Sequence, residues 1–302
     1  MRPLALAATV LAFAAVAAPL RAQEGTLDVL DGETLYDGGW LLTLGYDEER
    51  REGLRAGEDS VPDPLGQERI DRTAVLAAHW GARHDLQLSA IVPFVDRDLE
   101  GGGGLDLEAS GLGDASLVAK WRFYRWDAKG KALNVALIGG LELPTGSDDE
   151  TDGGAPLPPD LQPGSGSWDP LLGVGATYEP GRWRFNAVAL RKWNTPNGDG
   201  YRFGNDLVAE LEAGNRFWLE PYPGPFMRFD GRVRYLAEGR DHDGGAVADT
   251  GGERASVGAT LAFRPRPALD FQLGYDVTVW EDVEGTQLEH DSVLAFTVGF
   301  RF

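Results

Sequence analysis

The stretch Leu294-Ala295-Phe296-Thr297-Val298-Gly299-Phe300-Arg301-Phe302 closes the sequence on strict alternation. Successive side chains of an extended backbone point to opposite faces, so Leu294, Phe296, Val298, Phe300 and Phe302 line up on one face of a strand. Such a face is either one wall of a dry protein core or the outside of a barrel standing in lipid. The remaining sequence decides between them.

Eleven earlier segments repeat the pattern. The first carries Trp40, Leu42, Leu44 and Tyr46 on one face; the second Ala74, Leu76, Ala78 and Trp80; the third Leu86, Leu88, Ala90, Val92 and Phe94. In the fourth, Ala115, Leu117, Ala119, Trp121 and Phe123 oppose Asp114, Ser116, Lys120, Arg122 and Tyr124. The series continues through residues 133–143, 172–178, 183–189, 207–213, 229–237, 255–263 and 269–279. Long acidic or Gly-rich connections (48–68, 95–111, 144–167, 194–203, 239–252, 281–290) alternate with short ones (81–84, 126–131, 179–181, 265–267), the Pro-rich 214–227 excepted. A soluble sandwich has no reason to segregate loop lengths in this way. An all-β transmembrane antiparallel β-barrel of about twelve strands over residues 39–302 does, with short periplasmic turns and long extracellular loops. Trp80, Phe123, Tyr178, Trp183, Phe263, Phe300 and Phe302 fall beside short turns or the carboxyl terminus, while Phe94 and Trp168 fall near long loops, where interfacial girdles are expected.

Residues 1–22 place Arg2 ahead of an Ala/Leu/Val run and close on Pro19-Leu20-Arg21-Ala22, the layout of a secretory signal peptide. Export to the outer membrane follows from leader and barrel together. Residues 23–38 are polar and without clear period; they lie in the periplasm or fold into the lumen as a plug. No other stretch approaches the 18 apolar residues of a spanning helix.

Composition removes several functions. The 302 residues carry 28 Lys plus Arg against 48 Asp plus Glu, a formal charge of −20, and a surface this acidic repels phosphate, so no nucleic acid is expected as a partner. With no Cys, four His and two Met, thiolate chemistry is excluded and neither metal nor cofactor is expected. There is no Gly-x-Ser-x-Gly, His-Glu-x-x-His or Walker loop. Residues 148–153 begin like an EF-hand loop, but its twelfth position is Pro159 rather than Glu. The acidic clusters at 148–152, 241–243 and 281–291 read as solvated loops.

Inward faces should carry Lys120, Arg122, Arg184, Lys192, Glu210, Arg232 and Arg234, with Asp206, Asp230, Asp270 and Asp276 nearby. Cross-strand pairs among them, such as Lys192 with Asp206, would build a salt-bridge lattice stiffening the lumen. The sharper reading makes Arg184, Arg232 and Arg234 an eyelet that selects solutes.

Ser110-Gly111-Leu112-Gly113-Asp114, Lys120-Trp121-Arg122-Phe123, Gly139-Gly140 and Leu143-Pro144-Thr145-Gly146, together with Pro93-Phe94 at a strand end, resemble the signature of the MetA-pathway of phenol degradation family, with Trp121 standing where Tyr is expected. The resemblance runs from about residue 69 to residue 302. It implies a barrel that moves small, often aromatic or hydrophobic compounds, and it offers no catalytic residues. A strand ending in Phe302 resembles those of outer-membrane barrels, which implies recognition by periplasmic insertion machinery. The sequence thus points to a passive outer-membrane channel for small molecules, in contact with lipid and solute. Two alternatives stand beside it. His290-Asp291-Ser292 shares the His-x-Ser spacing of the outer-membrane phospholipase, itself a twelve-stranded barrel, and a closed structural barrel would carry nothing.

Overall fold

The computed structural model describes residues 30–302; the leader read at residues 1–22 and residues 23–29 lie outside the described residues. Extended elements follow one another as β1 (Trp40–Gly57), β2 (Asp59–Val61), β3 (Glu68–Arg83), β4 (Leu86–Gly101), β5 (Leu105–Leu112), β6 (Ala115–Ala128) and β7 (Lys131–Leu143). After a minute hairpin of β8 (Thr151–Asp152) and β9 (Ala155–Pro156) come β10 (Asp169–Pro180), β11 (Trp183–Lys192), β12 (Asp206–Leu219), β13 (Phe226–Glu238), β14 (Gly252–Arg266) and β15 (Leu269–Arg301). Antiparallel pairing runs β1-β3-β4-β6-β7-β10-β11-β12-β13-β14-β15, and β15 returns to β1, so the sheet is a closed barrel. Trp40 and Phe302 complete the seam: each N–H donates to the other's carbonyl, at 2.8 and 3.0 Å.

β15 contains two crossings. Drawn straight, its 33 residues would reach about 110 Å, far more than a bilayer needs. Instead the chain turns at Gly285, whose φ of 79° suits glycine. Residues 269–283 register with β14, residues 286–301 register with β1, and Gly274 of one arm lies beside Ala295 of the other. Twelve strands therefore surround the lumen.

The alternation read from sequence sorts outside from inside. Leu44, Leu76, Leu211 and Phe229 point away from the barrel, more than half exposed, while Val75, Ala136 and Asp230 point inward and are fully buried. An apolar surface that encircles the molecule is far larger than a soluble monomer tolerates, and lipid is the solvent that suits it. Outward aromatic rings stack at the short-turn end, Trp40 on Trp80 at 6.0 Å, Trp183 on Phe185 at 6.1 Å and Trp218 on Phe263 at 6.3 Å. Tyr46, Phe94, Trp168, Trp193 and Trp280 face out at the other end. Two girdles bracket an aliphatic band.

Two expectations need correction. Tyr124 faces out rather than in, because a bulge between Trp121 and Tyr124 in the β6–β7 register reverses the parity beyond it. Several long connections are also not loops. Residues 48–57 and 95–101 remain paired, as do the two arms of 281–290 on either side of the turn at Gly285, so the wall rises well beyond the apolar band, and β4 turns over Gly102–Gly104 to pair with β5. Charged residues there sit above the lipid, where pairing brings no burial against hydrocarbon.

Leu76 lies between the girdles, paired with Leu44 and Val92. Leu76→Arg should lower folding stability in bilayers by about 2–4 kcal/mol, read from denaturant titration in liposomes; an unchanged midpoint would contradict a lipid-facing site.

Candidate functional site in the lumen

One half of the lumen is filled. Val75, Ala77, Ile91, Val118, Ile138, Leu171 and Leu190, from β3, β4, β6, β7, β10 and β11, meet in a buried apolar cluster, and Leu30 of the N-terminal segment packs against it. The segment enters where the wall is bare of side chains: a Cβ on inward Gly175 would lie 2.8 Å from Asp31 O, and one on Gly32 would lie 2.6 Å from Thr177 N. Polar contacts hold it. Lys120 Nζ donates to Asp31 Oδ1 at 2.9 Å, Arg184 binds the other Asp31 oxygen and reaches Glu33 at 2.7 Å. Gly32 N donates to Thr177 Oγ1 at 3.0 Å, and Leu35 N to Gln87 Oε1 at 3.1 Å.

The connection between β7 and β10 folds inward over the same half. Leu157 and Leu161 join Leu54, Leu99, Ala109 and Leu288 in a second apolar cluster. Buried Asp160 is clamped by Arg69, whose Nη1 donates to its carboxylate at 2.6 Å, while Arg97 Nη1 donates to Asp160 O at 2.8 Å. The motif residues anchor the foot of this loop. Asp114 accepts from Gly146 N at 2.9 Å and Ser165 N at 2.7 Å, and Thr145 Oγ1 donates to Gly113 O at 3.1 Å. Two separated pieces of the signature are thus one structural joint.

Along β11–β15 the lumen remains hollow, with a cavity of about 130 Å³ reaching from Leu30 and Asp31 across to β15. Its walls alternate aliphatic and ionic groups. Val188, Val208, Leu236 and Ala295 supply apolar surface. Arg232 Nε donates to Asp276 at 3.1 Å, Arg234 Nε to Glu210 at 2.9 Å, and Asn186 Nδ2 to Glu212 at 2.9 Å. Guanidinium and carboxylate neutralise each other pairwise, so the wall offers many donors and acceptors with little net field.

The sequence-derived lumen residues separate into four places. Glu210, Arg232 and Arg234 line the cavity. Lys120 and Arg184 are turned into the filled half by the N-terminal segment, so Arg184 stands apart from the other two arginines. Lys192 is buried between Glu142 at 3.5 Å and Asp206 at 3.4 Å near the extracellular end, and Arg122 sits at the short-turn end, donating to His84 O. Asp31, and Asp160 with Arg69 and Arg97, are not marked by the sequence; Asp31 and Asp160 lie in aperiodic stretches that mark no facing direction. His290 and Ser292 flank a bulge, where Arg50 pairs with Ser292 and Arg51 with His290. The His290 ring is bonded to Glu281, and Ser292 Oγ donates to Asp291 at 3.3 Å.

Outside the membrane, the connection between β13 and β14 is pinned by Asp241, which accepts from Tyr201 OH at 2.6 Å and Gly204 N at 2.7 Å. Burial pushes the Asp241 carboxyl up to about 6, against the opposing pull of the Tyr201 and Gly204 donors.

Comparison with known proteins places this architecture. The profile of the family described as "Putative MetA-pathway of phenol degradation" matches residues 72–293. The chain belongs to that family. Among solved structures it is similar to a COG4313 outer membrane channel from Pseudomonas putida F1, with 18% identity and a TM-score of 0.74 over 91% of this chain and 100% of that one. The β domain of the Bordetella autotransporter BrkA gives 11% identity and a TM-score of 0.49 over 88% and 99%. No curated protein matches. At 18% identity the likeness to the Pseudomonas putida channel speaks to the fold: this is an outer-membrane β-barrel.

Two outcomes follow from the geometry. With no native cysteine, a Leu30→Cys reporter is unique, and adding Gly175→Leu should expel the segment and speed thiol labelling about tenfold, the change matching some 1.4 kcal/mol of lost docking; equal rates would contradict the docked position. Because the Asp241 value lies above the ordinary 3.8, its contribution is complete below pH 3.8 and is lost as pH rises through about 6. Rate-corrected amide protection over residues 239–251 should therefore be higher near pH 4.5 than near pH 7.5, and Asp241→Asn should abolish the difference.

Proposed function

We propose that the protein is a passive outer-membrane channel for small amphiphilic aromatic solutes, which cross along the β11–β15 wall while the N-terminal segment and the inward β7–β10 loop occupy the other half. The observation that carries this is the mixed lining of the cavity. A ring finds Val188, Val208, Leu236 and Ala295; a hydroxyl finds both donors and acceptors at Arg232–Asp276 and Arg234–Glu210. The family's association with phenol degradation agrees with that chemistry.

Arg232 and Arg234 are the eyelet in this reading, since both reach the cavity, and Arg184 serves instead to hold the segment. A phospholipase reading finds less support: its serine would need the second ring nitrogen of His290, whereas Nδ1 is bonded to Glu281, Nε2 faces Arg254 at 3.4 Å and Ser292 Oγ donates to Asp291. Phe302, the last hydrogen-bonded residue of the seam, is the handle proposed for the periplasmic insertion machinery.

Flux of phenol-like solutes into proteoliposomes tests the route. Val208→Trp, which fills the cavity, should cut flux several-fold, while Ile138→Val in the packed half should leave it unchanged. A correctly folded wild-type barrel that passes no solute would establish a closed structural barrel instead. Arg232→Ala leaves Asp276 and Glu210 short of a guanidinium and should shift conductance toward cations; unaltered ion selectivity would remove Arg232 from the eyelet.

A further inference from the structure

Asp31 is bound in the manner of a ligand. One oxygen takes the Lys120 ammonium and the other the Arg184 guanidinium. Both cationic side chains are nearly buried, 3 and 4% exposed, and they come from β6 and β11, with β7 and β10 between them in the wall. Asp31 is the partner through which Lys120 is neutralised among the described residues. Arg184 also has Glu179 of β10 at 3.1 Å and Glu33 at 2.7 Å, whereas the ion pair of Lys120 is made by Asp31, so it is at Lys120 that this part of the barrel is organised around a carboxylate its own strands do not supply.

The group beside that carboxylate is apolar. Leu30 rests on the cluster that includes Val75, Val118, Ile138 and Leu171. An apolar body joined to a carboxylate is the outline of a small aromatic acid, and Leu30 and Asp31 also form one side of the cavity, so a solute in transit would touch both.

We propose that Leu30-Asp31 is a built-in stand-in for a small aromatic monocarboxylate, which binds between Lys120 and Arg184 with its ring in the place of Leu30 and so displaces the N-terminal segment from the lumen. The inference rests on the conduit reading only for the route by which the acid arrives. Competition is intramolecular: a short tether holds Asp31 at an effective concentration on the order of millimolar, so the acid must be present at comparable levels to displace it.

The test uses the folded full-length barrel in detergent or liposomes, with benzoate as the anionic probe and benzyl alcohol as its uncharged counterpart. A spin label on Thr34→Cys, within the segment, should become mobile as benzoate is added and stay fixed with benzyl alcohol. Benzoate should bind Asp31→Asn about tenfold or more tightly than wild type, because the internal competitor is gone, and adding Lys120→Gln should abolish that gain. Should Asp31→Asn fail to fold, Gly32→Val removes the segment sterically and should show the same gain. Equal affinity in wild type and the segment-displaced variant, or equal response to benzyl alcohol, would overturn the proposal. Loss of phenol flux with benzoate binding intact would count against the conduit reading alone.

Discussion

The bilayer forbids an unsatisfied backbone, and the rest of this structure depends on that constraint. Hydrocarbon offers no partner to an exposed N–H or carbonyl, so a sheet in lipid must have no edge. Closure is achieved by the last residues meeting the first strand, Trp40 and Phe302 exchanging both hydrogen bonds. Once the ring is closed, outward positions answer to lipid alone. Every second residue must be apolar there, and nothing more specific is demanded of it.

The inside obeys a different rule. A lumen too narrow to be bulk water and too wet to be a core must pair its charges, and it does so strand by strand: Lys192 between Glu142 and Asp206, Arg69 on Asp160, Arg232 on Asp276. Isolated burial of any of these ions would cost several kcal/mol. The same pairing divides the lumen lengthwise. Where the N-terminal segment and the inward loop bring their own carboxylates, arginines and lysine are consumed in holding them; along β11–β15 the pairs are made within the wall, and space is left between them.

This contrast explains what could be read in the sequence. The lipid rule acts on each strand separately, so Leu294 to Phe302 and its eleven relatives disclosed the barrel, its strand number and its outward faces. Tyr124 was misassigned because a bulge shifts parity without any local signal. The lumen residues were legible as inward and polar, but their partners were not. Asp31 meets Lys120 across 89 residues of chain and Arg184 across 153, and Asp160 meets Arg69 across 91. Both acids sit in stretches whose conformation is set by what they dock against. The signature around Ser110–Asp114 and Leu143–Gly146 was visible as turn chemistry, and only the fold shows that the two turns are bonded to each other.

The outward tryptophans offer the most direct measurement of the lipid-facing surface. All nine in the chain lie on the exposed side, each between 37 and 57% exposed, most of them in the two girdles. Fluorescence quenching by lipids brominated at successive depths should be strong, and strongest for bromines near the headgroups, because few of these rings approach the bilayer centre. Emission that is indifferent to brominated lipid in a correctly folded sample would mean that the apolar faces meet something other than hydrocarbon, and the barrel reading of the outer surface would fall.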